Sequence, residues 1–139
     1  MLKSVRQITV VVAIVAVTAT GSTGAGAEHG TDPFQGQWSI KATPDEAAAA
    51  AGQPPVSEAL LFHKGEVAAA VFSLLGFRPA PYHIHVDTGR PVFRATLTAR
   101  DGGRLNWSGR ETPSGLDGTL TWTRKDGRVL NFKLTGERQ

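Results

Sequence analysis

Val92-Phe93-Arg94-Ala95-Thr96-Leu97-Thr98-Ala99 is the stretch that decides the fold. Phe93, Ala95, Leu97 and Ala99 share one face of an extended chain, while Arg94, Thr96, Thr98 and the following Arg100 share the other. Side chains of a strand alternate between two faces, so this pattern describes a strand with one side buried and one side wet. The same alternation returns downstream in Leu105 and Trp107, in Leu120 and Trp122, and in Leu130, Phe132 and Leu134. Asp101-Gly102-Gly103 and Lys125-Asp126-Gly127 lie between these runs as tight hairpin turns, with Glu111–Gly115 as a wider one. Successive short strands joined by hairpins predict an antiparallel meander.

Upstream, Trp38–Ala42 reads as the first strand, with Trp38, Ile40 and Ala42 on one face. Thr43-Pro44-Asp45-Glu46 followed by Ala47–Ala51 and Gly52 predicts one short helix of about two turns, capped by Thr43 and lying across a barrel end. Glu58–His63 and Glu66–Phe72 form the next hairpin around Lys64-Gly65. Ser73–Pro81 has no period and two prolines, and reads as a loop. Tyr82–Val86 and Val92–Ala99 follow around Gly89-Arg90-Pro91, then Leu105–Gly109, Leu116–Thr123 and Val129–Thr135. These eight candidate strands with one short helix after the first predict an all-β, up-and-down antiparallel barrel.

The first 27 residues read as a signal peptide and residues 28–139 as a single barrel domain. Lys3 and Arg6 form a basic start, and Ile8–Val17 is a ten-residue apolar stretch. Ala25-Gly26-Ala27 is an A-x-A-like cleavage site. A stretch of that length is about half what a membrane-spanning helix needs. The chain is therefore expected to be exported, to the periplasm or beyond, with no membrane association after cleavage. Of the 15 basic residues two precede position 28, whereas none of the 12 acidic residues does, which leaves a net charge of +1 on residues 28–139. The remaining Arg and Lys residues are scattered, without the concentrated stripe of a nucleic-acid binder. The sequence contains no cysteine, which excludes disulfides, thiol catalysis and thiolate metal sites.

Gly36-Gln37-Trp38 on the first strand, followed by a small eight-strand meander, resembles the G-x-W opening of the lipocalin and calycin barrels. The resemblance implies that Trp38 plugs a closed end, that Gly36 belongs to the same structural motif, and that Arg138 or Lys133 packs over the indole. The order W-S-I-K-A-T-P-D-E-A, L-x-F-H-K-G-E, L-G-F-R-P-A-P-Y, L-N-W-S-G and L-T-W-T-R-K-D-G also resembles small exported proteins of environmental bacteria with no assigned activity. That likeness implies a fold and a compartment and carries over no catalytic residue.

Two candidate sites stand out. His83-Ile84-His85-Val86-Asp87 places His83, His85 and Asp87 in one row, a spacing that can offer ligands to zinc or a similar metal. Tyr82, Ile84 and Val86 are expected to take the inward face, which turns the row to solvent and makes it a weak metal candidate. Trp107 and Trp122, with Phe77 and Tyr82 near the aperiodic loop, are the candidate contacts of a small apolar ligand. No catalytic grouping emerges: there is no G-x-S-x-G elbow, no phosphate-cradling glycine loop and no evident pair of inward carboxylates. Neither a cofactor nor a nucleic-acid partner is expected. Two function classes remain, a barrel that binds a small hydrophobic ligand and a structural or protein-interaction barrel filled by its own side chains. The size of the inward residues separates them, with Ala69, Ala95 and Ala99 leaving room and Phe93, Trp107, Trp122 and Phe132 taking it.

Overall fold

The computed structural model describes residues 32–139, of which Phe34–Gln139 form one compact unit. The predicted signal peptide lies outside the described residues. Eight antiparallel strands close into an up-and-down barrel, each paired with its neighbours in sequence and the last with the first. They are β1 (Gly36–Pro44), β2 (Val56–His63), β3 (Glu66–Ala69), β4 (Ala80–Asp87), β5 (Arg90–Thr98), β6 (Arg104–Thr112), β7 (Gly115–Thr123) and β8 (Val129–Arg138). Helix α1 (Glu46–Ala50) joins β1 to β2, and the short helix α2 (Ala70–Ser73) interrupts the passage from β3 to β4. Closure gives every strand two neighbours, although β3 reaches only the first residues of β4.

The alternation does what it predicts along most strands. Trp38, Ile40 and Ala42 on β1, Phe93, Ala95 and Leu97 on β5, Leu105 and Trp107 on β6, and Leu130, Phe132 and Leu134 on β8 are all buried. On the outer face the Thr96 hydroxyl donates to Asn106 across β5–β6, and that of Thr121 to Asn131 across β7–β8. Three glycines let strands approach more closely than side chains permit. A Cβ on Gly118 would meet the Ser108 carbonyl oxygen at 2.1 Å, one on Gly109 the Phe93 ring at 2.4 Å, and one on Gly136 the Ile40 side chain at 2.5 Å.

Four local expectations need correction. The third strand stops at Ala69, because the Glu58 carboxylate captures the next backbone donors and turns 70–73 into α2. The alanine helix is capped by Asp45, whose side chain accepts from Ala48 N at 2.8 Å, while Thr43 and Pro44 remain in β1. The β6–β7 connection is shorter than the wide turn expected, since Thr112 already pairs with Gly115. Finally, Ile84 and Val86 are 40% and 70% exposed rather than core. They lie on the inward side of β4, but β3 pairs with β4 only at Pro81 and Ala80, so among the described residues no strand runs beside them on that edge.

Candidate functional site

Two clusters of rings occupy the barrel interior. The first end of the barrel is where β1 begins and β8 finishes. Phe34 lies there just before β1 and is fully buried. Its ring meets Phe93 edge-on at 5.1 Å and lies 5.8 Å from Phe62. Its carbonyl accepts a 2.9 Å hydrogen bond from Trp38 Nε1, which ties the plug to the first strand. The Arg138 guanidinium sits 4.4 Å from the Trp38 ring centroid and donates to the Gln35 carbonyl at 2.6 Å. A cation over an indole face is attracted by the ring quadrupole. Gly36 makes room for it: at φ 120° it adopts a conformation that disfavours side chains, and a Cβ would approach Arg138 Nη1 to 3.1 Å.

At the second end Phe72 is the central ring. It meets Phe77 at 5.8 Å, Trp107 at 6.1 Å and Trp122 at 5.0 Å, each edge-on. Phe72 is placed by α2, and α2 is held by Glu58, an inward carboxylate that is 4% exposed. One Glu58 oxygen accepts from the backbone N–H of Val71 and of Ala59 at 2.7 Å, and the other from that of Phe72 at 2.9 Å. The buried carboxylate is thus met by three donors, the condition under which such a group is tolerated in a core. The loop that follows is pinned as well, by a bridge between Phe77 and Ala99 and by Arg78 N–H donating to the Thr98 carbonyl.

Three of the four candidate ligand contacts, Trp107, Trp122 and Phe77, therefore converge on Phe72, which occupies the space between them. Tyr82 stands apart, edge-on to Phe62 at 4.9 Å in the other ring cluster. Phe77 and Tyr82 are buried core residues, and Trp122 is half-buried beneath Arg124, whose guanidinium is 5.0 Å from its ring centroid. Trp107 Nε1 is buried and has no hydrogen-bond partner. Two depressions of about 380 and 620 Å³ are lined by Trp38, Arg138, the β4–β5 turn and the β6–β7 turn, with Glu111, Thr112 and Pro113 common to both. Both are open to solvent, and neither includes a candidate ligand contact.

His83, His85 and Asp87 point outward and are exposed. The Asp87 carboxylate is engaged by Arg110 at 2.5 Å, and among the described residues no group of three potential ligands is disposed to hold a metal. Besides the single residues Leu61 and Val129, the exposed large apolar side chains fall in two groups. Val71, Leu74 and Leu75 share one face of the α2 turn, and Ile84 and Val86 project beyond β3. In the β7–β8 turn the Asp126 carboxyl is held below the usual carboxylate range, chiefly by the Arg128 backbone N–H that it accepts. Glu58, Phe34 and Phe72 carry the interior arrangement, and only Glu58 had a sequence signal, its register with Leu60 and Phe62 on the apolar face of β2. No family model, curated protein or solved structure matches this chain.

Proposed function

We propose that the protein is an exported, non-catalytic barrel of lipocalin-like plan, whose interior is its structural core and whose outer surface makes its contacts. The observation that carries this reading is the position of Phe72, which fills the space between Trp107, Trp122 and Phe77 where a ligand would lie. An eight-stranded barrel is just wide enough for side chains to fill, and here rings enter it from both ends. The lipocalin-like element is the Gly36–Trp38–Arg138 arrangement at the closed end. Export rests on the basic start, the short apolar stretch and Ala25-Gly26-Ala27.

A second reading, a small apolar ligand held among Trp107, Trp122, Phe77 and Tyr82, draws support from the buried Trp107 N–H that lacks an acceptor. A buried donor without a partner is costly, and a ligand carbonyl or hydroxyl would satisfy it. Titration with a long-chain fatty acid and with a small aromatic alcohol, followed by tryptophan fluorescence, separates the two. The filled barrel binds neither saturably, whereas Phe72→Ala opens a void and takes up the aromatic. Stoichiometric binding by the unmodified protein, lost in Trp107→Phe, would favour the ligand reading instead.

A further inference from the structure

We infer that a second copy of this chain pairs with the uncovered edge of β4, so that two barrels join in one continuous sheet; the partner is specified on the reading that the barrel works through its surface. The β2–β3 turn ends beside Tyr82, whose N–H donates to the Gly65 carbonyl at 3.1 Å. Beyond it, residues 83–87 run on for roughly 14 Å and, among the described residues, pair with β5 alone. Asp87 and Arg90 close the hairpin as a pair, and hydrogen-bonding directions alternate along a strand. The backbone groups of His83, His85 and Asp87 therefore face β5, and those of Ile84 and Val86 face the open side. Ile84 and Val86 are also the exposed apolar side chains of this strand. An edge with free backbone groups and exposed apolar side chains is a template for another strand.

The residue order selects both the occupant and its register. In an antiparallel pair about a two-fold axis through His85, Ile84 meets the partner's Val86 and Val86 meets the partner's Ile84. These are hydrogen-bonded positions, so all four free N–H groups of the two edges find carbonyls. On the opposite face His83 meets the partner's Asp87, a donor against a carboxylate, twice over. A shift to either neighbouring symmetric register loses part of this match: one places His83 against His85, and the other keeps a histidine, His85, against Asp87 but sets Ile84 against the polar Thr88. The free edge is bounded by the Lys64-Gly65 turn, so a long extended peptide would run into it. A strand that itself ends in the tight Thr88-Gly89 turn fits. Five residues bury little area, which puts the dimer among weak, micromolar associations.

Absence of cysteine from the chain makes the register directly testable. In this pairing the two copies of residue 85 form a non-hydrogen-bonded pair with Cα atoms about 4.5 Å apart, within disulfide range. His85→Cys should cross-link to a covalent dimer under mild oxidation, while His83→Cys, whose two copies lie several residues apart, should stay at least tenfold less linked. Light scattering of the unmodified protein should show mass rising toward a dimer with concentration. Ile84→Lys and Val86→Pro should keep it monomeric with unchanged circular dichroism, since the Val86 N–H takes no part in the β4–β5 ladder. A monomer at every concentration with no His85→Cys cross-link, equal cross-linking of both cysteines, or an edge that takes up only an extended peptide would overturn the proposal. Saturable fatty-acid binding by the unmodified protein would refute the filled barrel whether or not the cross-link forms, so the two failures are distinct.

Discussion

Two buried tryptophans differ in one hydrogen bond, and that difference sets how each responds to substitution. Trp38 donates its N–H to the Phe34 carbonyl and carries the Arg138 cation on its ring face. Trp107 is equally buried, but its N–H has no acceptor. Trp38→Ala should cost about 3–5 kcal/mol as a core truncation, a large share of the roughly 5–15 kcal/mol that holds a domain folded. The two Phe variants separate packing from hydrogen bonding. Trp38→Phe forfeits a buried bond worth about 1–3 kcal/mol, whereas Trp107→Phe removes a donor that was costing energy and should be the milder change. Urea unfolding of the pair measures this, and a Trp107→Phe penalty as large as that of Trp38→Phe would show that the Trp107 N–H is satisfied.

At the scale of elements, α2 exists because of one carboxylate. Residues 70–72 read as the end of a strand, and the β-branched Val71 and aromatic Phe72 favour that state locally. The Glu58 oxygens override it by accepting Val71 and Phe72 N–H groups from 13 and 14 residues further along. Glu58→Gln keeps one acceptor but turns an NH₂ toward the remaining donors. It should destabilise the protein by about 1–3 kcal/mol and loosen Phe72, visible as increased Trp122 solvent exposure in fluorescence. An unchanged midpoint and spectrum would mean that α2 is held by its apolar contacts alone. The strand pattern itself was legible because period-two alternation depends only on neighbours in sequence: Phe93, Ala95 and Leu97 needed nothing more. Ile84 and Val86 show where such reasoning stops. Their face followed from alternation, but their exposure depends on where β3 ends, a property of another element. The Phe34 plug and the Phe72 ring were hidden for a related reason: Phe34 precedes the first periodic run, Phe72 ends an apolar run that reads as strand, and each is placed by tertiary contacts.

For the whole molecule, the barrel is filled at one end by Phe34 and Trp38 and at the other by Phe72, and export is proposed from the first 27 residues. Export predicts that protein recovered outside the cytoplasm has the intact mass of a chain beginning at Glu28; the full-length mass in the membrane fraction would contradict it. The self-filled interior is the central claim, and it is tested most directly by proton–proton nuclear Overhauser contacts in solution. The account predicts contacts from the Phe72 ring to both the Trp107 and Trp122 indoles, and from the Phe34 ring to Phe93. Absence of these contacts, with water resonances instead touching the inward methyl groups of Ala69 and Ala95, would contradict it and describe a hollow barrel.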